Sequence, residues 1–316
     1  GRGIGFSIEG DALGVLMKSY DDGRWEIGID DPEYPPAFAE LANPPGVIYG
    51  VGDASCLQTP CLGIIGARRA TPYGLAIASM AGRVAAEGGV CVVSGGAMGC
   101  DASASRSALA AGGNTIVVSG CGADTVYPST SEDVFRGAAE GAGAVISAER
   151  WGMGPRRYAF PKRNALIAAL SRCLVVTEAG PRSGTMGTSD AAIELGRTVY
   201  AIPGSIFSLN SKGTNSLIAE GAKIIPDEES LALAISLDFG FLRLQSERPQ
   251  EEADDLMAAL LASPSRPDEL ADALGADVMS ILRELTGREA RNLVERLPDG
   301  RYAPSQTYLL GHNVDI

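Results

Sequence analysis

Histidine is nearly missing from this chain: His312 is the one such residue among 316. That excludes a histidine-rich metal site and nearly excludes a Ser-His-Asp triad, so acid–base chemistry would have to come from carboxylates or lysine. Cysteine is sparse as well. The six, at 56, 61, 91, 100, 121 and 173, form no C-x-x-C pair, so the usual zinc and dithiol motifs are excluded, and several fall in apolar runs where a thiol acts as a small hydrophobe. Such usage suits a reducing compartment, and the cytoplasm is the expected location. No apolar run reaches about 18 residues, so neither a transmembrane helix nor a membrane partner is expected. The chain opens Gly1-Arg-Gly-Ile-Gly-Phe6, without Met and without the apolar stretch of a signal peptide, and the natural protein is expected to be longer.

What the chain does have is glycine at the ends of short apolar runs. Leu62-Gly-Ile-Ile-Gly66 leads into Ala67-Arg68-Arg69 and Thr71-Pro-Tyr-Gly74, while Val90-Cys-Val-Val-Ser94-Gly95-Gly96 leads into Met98-Gly-Cys-Asp101. A buried strand that turns through Gly straight into a helix presents backbone N–H groups and a positive dipole end, which suits phosphate. Arg68 and Arg69 stand where the first strand releases the chain, placed for bidentate phosphate contact. Neither a P-loop lysine motif nor a full G-x-G-x-x-G is present.

Apolar strands and amphipathic helices alternate along the chain. Strands are predicted at 62–66, 90–94, 114–118, 143–147, 173–177, 198–201 and 223–225. Helices are predicted at 74–87, 101–112, 131–140, 161–170, 185–195, 214–220 and 228–236. This pattern predicts an α/β fold: an extended Rossmann-like, doubly wound, mostly parallel sheet. Four segments follow. Residues 1–60 form an opening segment, 61–240 the Rossmann-like domain that carries the phosphate-suited turns, and 241–253 a polar linker. Residues 254–316 read as a small winged-helix domain, with helices at 254–261, 267–274 and 278–285 and a hairpin around Asp299-Gly300.

Charge is unevenly shared. The net value is −13, yet from Arg150 to Arg182 seven arginines and lysines face Glu178 alone. From Glu251 onward 13 acids outnumber 6 arginines, which argues for a protein-contact role of the winged helix over groove binding. The basic stretch carries Trp151, Tyr158 and Phe160 as possible stacking faces. Within it, Phe160-Pro-Lys162-Arg163-Asn164 opens a helix. Two further polar turns follow, Glu178-Ala-Gly-Pro-Arg182-Ser183-Gly184-Thr185 and Ser211-Lys-Gly213-Thr-Asn215. Four such turns at successive strand ends would form one groove along the sheet.

These motifs resemble, in order, those of the DNA-processing protein A (DprA, or Smf) family. The resemblance rests on Gly66-Ala-Arg68 with Thr71-Pro-Tyr-Gly74, Ser94 to Ala104, and Gly120-Cys-Gly122-Ala-Asp124-Thr-Val-Tyr127-Pro128. It continues through Phe160 to Ser171, Glu178 to Gly184, Gly196-Arg197 to Pro203-Gly204, and Gly213-Thr-Asn215 to Gly221-Ala222. It spans roughly 34–228, and the C-terminal segment is similar to the family's winged helix. It implies a dimeric single-stranded-DNA-binding protein that protects incoming DNA and loads the RecA recombinase during natural transformation. By the same resemblance Arg68, Lys162 and Arg163 are DNA contacts, Ser94 and Gly95 the phosphate turn, and Gly213 and Asn215 a late turn of unassigned role. The family often has Arg at Met98, His at Ser105 and Arg at Ala165, and its N-terminal helical domain is absent here or reduced to 1–25.

Residues and resemblance together give a candidate phosphate-binding set: Gly66, Arg68, Arg69, Ser94, Gly95, Lys162, Arg163, Asn164, Arg182, Ser183, Gly184, Thr185, Gly213 and Asn215. No catalytic residue, metal or cofactor is assigned, and the protein reads as a binder rather than an enzyme. The partners are single-stranded DNA, RecA and a second copy of the chain, for which helix 228–236 offers an apolar face. The alternatives are a nucleotide-binding sensor or a phosphoribohydrolase-like enzyme of the same superfold. For the enzyme, Arg163 and Ser183-Gly-Thr185 match, but Thr188, Ser189 or Asp190 stands where the catalytic Glu belongs. Glu178 is the leftover carboxylate.

Overall fold

A computed structural model describes residues 15–16, 23–241 and 254–311. The chain begins with β1 (Val15–Leu16), β2 (Arg24–Gly28), the short α1 (Pro36–Ala39) and β3 (Val47–Gly52). Then come β4 (Cys61–Ile65), α2 (Pro72–Glu87), β5 (Cys91–Ser94), α3 (Cys100–Ala110), β6 (Thr115–Val118), β7 (Thr125–Val126), α4 (Glu132–Glu140) and β8 (Ala144–Ser147). The second half runs α5 (Ala159–Leu170), β9 (Ser171–Val176), α6 (Gly184–Glu194), β10 (Thr198–Ala201), α7 (Lys212–Ala219), β11 (Lys223–Ile224) and α8 (Glu228–Phe239).

Nine strands make one sheet in the order β11-β10-β9-β4-β5-β6-β8-β3-β2. The run from β11 to β8 is parallel, and β3 and β2 add an antiparallel margin. The Rossmann-like α/β expectation is met. The opening segment is corrected: β2 and β3 are sheet strands, so the α/β unit begins well before residue 61. The supposed remnant at 1–25 lies largely outside the described residues, as does most of the 241–253 linker.

β4 is buried at every residue because helices cover both faces of the sheet, which is why it reads as an unbroken apolar run. On one face Cys61 and Ile65 pack with Leu166, Ile167 and Leu170 of α5 and Ala192 of α6. On the other, Leu62 and Ile64 meet Ala78 and Ala81 of α2, Ala104 of α3 and Leu231 and Ile235 of α8. Small residues let α2 and α3 close up: a Cβ on Gly82 would strike the Ala104 carbonyl. α2 begins where Thr71 caps the Gly74 N–H and Pro72 takes the first helical position.

After residue 254 the chain builds a second core. α9 (Asp255–Ala262), α10 (Pro267–Leu274) and α11 (Val278–Ala290) enclose Leu256, Leu260, Leu270, Ile281 and Leu285. The hairpin β12 (Val294–Arg296) and β13 (Tyr302–Pro304) and the short α12 (Gln306–Leu309) follow. Gly275 ends α10 in the left-handed conformation, as its position in the sequence suggests. β13 and α12 lie against α2.

Candidate nucleic-acid interface

β4 has β5 on one side and β9 on the other, so the strand order reverses there. In an open α/β sheet this reversal leaves a crevice beyond the carboxyl ends of the strands. The turns after β4, β5 and β9 meet at it, together with the start of α5.

The amides of that crevice are already engaged. Asp101, in the first turn of α3, accepts the Gly66 N–H at 3.3 Å and the Gly95 N–H at 3.2 Å through its two carboxylate oxygens. The Arg163 guanidinium approaches the same carboxylate at 3.8 Å, and both side chains are 7 % exposed. Burial pushes the Asp101 carboxyl up and the Arg163 guanidinium down, each opposed by the charge of the other. A Cβ on Gly95 would overlap the guanidinium, so only glycine admits Arg163 here.

Several expectations for the polar turns are corrected accordingly. The Gly66 and Gly95 amides are not open, since an internal carboxylate fills the place a phosphate would take. Ser94 is buried, and its hydroxyl donates to the Ile64 carbonyl at 2.7 Å. Ser183 caps α6 through the Thr185 N–H, and the Thr185 hydroxyl donates to the Gly66 carbonyl at 2.9 Å. The Asn164 amide donates to the Gly184 carbonyl at 3.2 Å, tying α5 to α6. Gly213 donates to the Ala179 carbonyl, and a Cβ there would press on Ala179 and Gly180. Asn215 holds both the N–H and the carbonyl of Gly204. Glu178, buried at the end of β9, accepts the Thr71 N–H at 2.8 Å and its hydroxyl at 2.6 Å; burial pushes its carboxyl up, against those two bonds. These groups position the turns.

What faces solvent is a set of cations, two of which lie over aromatic rings. α5 starts at Ala159, two residues ahead of the expected 161, which carries Lys162 and Arg163 into its second turn. Phe160 is half-buried, with the Arg68 guanidinium 5.4 Å and the Arg163 guanidinium 5.8 Å from its ring centre. Tyr127 packs beside it at 6.1 Å. Lys162 lies 5.2 Å from the ring centre of Tyr158, itself 52 % exposed. The Tyr158 hydroxyl donates to Glu149, whose charge pushes the phenol up. Arg68, Arg69, Arg150, Arg156, Arg157, Lys162 and Arg182 are all exposed and have no carboxylate within 4 Å among the described residues. Trp151 is otherwise placed. Its indole N–H donates to Glu26, its ring meets Tyr49 edge-on, and Arg24 covers it, so it locks the β2–β3 margin.

Sequence reasoning missed Asp101. The available signal was a lone carboxylate in a helix of small residues, which needs a partner if that helix is buried.

Fold and site together define a Rossmann-like α/β protein with a cationic, aromatic-lined crevice at the reversal of strand order. The chain belongs to the DprA/Smf family: residues 25–236 match the family described as DNA recombination-mediator protein A. It is similar to protein Smf of Synechocystis, 37% identical over 210 residues that make up 65% of this chain and 52% of that one. It thus spans about half the length of that relative. A DNA processing protein DprA of Mycobacterium tuberculosis is 33% identical over 313 residues, 92% of this chain and 79% of that one. Among solved structures, DNA processing protein A from Helicobacter pylori, described with its single-stranded-DNA binding mode, superposes with a TM-score of 0.61. It is 31% identical over 68% of this chain and 96% of its own.

Proposed function

We propose that the chain binds single-stranded DNA across the surface formed by Arg68, Phe160, Tyr158 and Lys162, protects it and delivers it to a RecA-class recombinase. The observation that carries this is the set of exposed cations without acid partners around rings that a base can stack on, in a protein of net charge −13. Its kinship with a protein described for its single-stranded-DNA binding mode supports the ligand, and the family's description as a recombination mediator supports the recipient. Phosphate contact then comes from side chains rather than strand-end amides, because Asp101 and the capping residues occupy those amides.

The same bonds weigh against a small phosphorylated ligand or glycosidic-bond cleavage in the crevice, which would need the open turns and a free Glu178. The protein acts as a binder. The winged-helix reading of residues after 254 rests on three helices followed by a hairpin with their own core. A homodimer is supported by α8, whose Leu231 and Ile235 face the sheet while Leu233 and Leu237 are 60% and 74% exposed.

The test is a titration with single- and double-stranded oligonucleotides at several salt concentrations. Preference for the single strand and a steep loss of affinity with salt are expected. Equal affinity for duplex, or indifference to salt, would overturn the reading.

A further inference from the structure

Two clefts flank the proposed DNA surface, and they differ in charge. The larger, about 1030 Å³ between the 40–47 loop, α5 and α6, has Glu40, Glu149 and Glu194 on its walls against Arg150 and Lys162. The smaller, about 570 Å³, lies between α2, α3 and the start of α12, and among the described residues no carboxylate lines it. We propose that the smaller cleft is a second phosphate subsite, taking the backbone of the single strand beyond the nucleotide held at Arg68 and Phe160. This inference rests on the single-stranded-DNA reading above.

Arg68 joins the two places, since its guanidinium covers Phe160 and the residue also lines the cleft. Arg69 beside it is exposed and has no carboxylate partner among the described residues. Farther along, Arg106 grips Asp133 with two nitrogens and the Thr130 carbonyl with one of them, so its place is fixed while its charge is largely balanced. Between these arginines stand Ser79 of α2 and Ser107 of α3, hydroxyls able to donate to a phosphate oxygen. Gly99, at φ +84°, also lines the cleft, and a Cβ there would strike the Ala67 and Arg68 carbonyls, so no side chain intrudes at that point. From Gly99 to Ser107 α3 rises about 12 Å, enough for more than one phosphate. In so acidic a protein, a cleft lined by the unpaired Arg68 and Arg69, with no carboxylate among its described lining residues, favours a polyanion.

The experiment is a fluorescence-anisotropy titration of the full chain with oligothymidylates of about 4 and about 16 nucleotides, lengths at the two ends of common single-strand site sizes. Ser107→Glu places a carboxylate in the cleft, away from Arg68. It is expected to weaken the longer strand about tenfold and to leave the shorter one unchanged, at an unchanged melting temperature. Arg69→Ala is the second variant and should weaken the longer strand about fivefold. If both variants bind the longer strand normally, or lose both lengths equally, the subsite is wrong while the Arg68–Phe160 surface stands. If the wild-type chain binds neither length, the single-strand reading itself falls, and the subsite with it.

Discussion

Arg163 and Asp101 form a buried ion pair 62 residues apart in sequence, with 3.8 Å between their charged atoms, at the floor of the crevice. A buried pair is worth little net stability while intact, but removing one partner strands the other charge. Arg163→Met is therefore expected to destabilise the fold by about 3 kcal/mol or more, read by urea unfolding. Adding Asp101→Asn should recover part of that loss. A single variant as stable as wild type would show that Asp101 does not need the guanidinium.

Exposed Arg68 and Lys162 give the cleaner test of DNA contact. Each charge-assisted contact to phosphate is worth roughly 1.5–3 kcal/mol, so Arg68→Ala and Lys162→Ala should each cost about tenfold in affinity or more. Each should also flatten the salt dependence by about 0.7 in log–log slope. A chain stopped near Arg248 loses the acidic C-terminal segment and should bind as well as wild type or slightly better. If that truncation abolishes binding while both alanine variants bind normally, the C-terminal segment is the DNA reader.

Glu178 sets a pH dependence. Burial holds its folded carboxyl above the usual range, so the unfolded chain releases this proton at lower pH than the folded one does. Stability then falls as pH rises from the unfolded carboxylate range through the folded one, and stays lower above it. Glu178→Gln keeps an acceptor for Thr71 without the buried charge. Its stability relative to wild type should therefore improve between about pH 4 and about pH 7. Glu178→Ala leaves the Thr71 N–H without an acceptor and should cost about 1–3 kcal/mol at neutral pH. Thermal melts across that pH range check both.

Self-association should depend on α8. Leu233→Glu with Leu237→Glu touches no buried contact, so the monomer fold should change by no more than about 0.5 kcal/mol. Light scattering at micromolar concentration should report a dimer for wild type and a monomer for the double variant. A wild-type chain that is monomeric throughout would remove the dimer.

Much of the sheet could be read in advance because parallel strands, covered on both faces, are short unbroken apolar runs. Predicted and observed bounds of β4, β5, β6 and β10 agree within one residue. β2, Arg-Trp-Glu-Ile-Gly, lies on the antiparallel margin and carries no such run. Its place is set by pairing with β3 and by Trp151, more than 120 residues away. The crevice was legible in outline through its glycines and arginines, and less so in detail. Neighbouring residues on a helix point about 100° apart, so Lys162 and Arg163 look alike in sequence while one faces water and the other Asp101.

The contact between Gly82 and Ala104 bears on how the strand is met. With the backbones of α2 and α3 nearly touching, the two helices behave as one plate. The turn bearing Arg68 enters α2, and Gly99 presses on that same turn from the start of α3. The turn is thus clamped between them before any nucleotide arrives. A preorganised contact of this kind sacrifices little conformational entropy on association. The ligand is therefore the partner that must become ordered, and flexible thymidylate tracts should be captured more readily than stiffly stacked adenylate tracts of equal length.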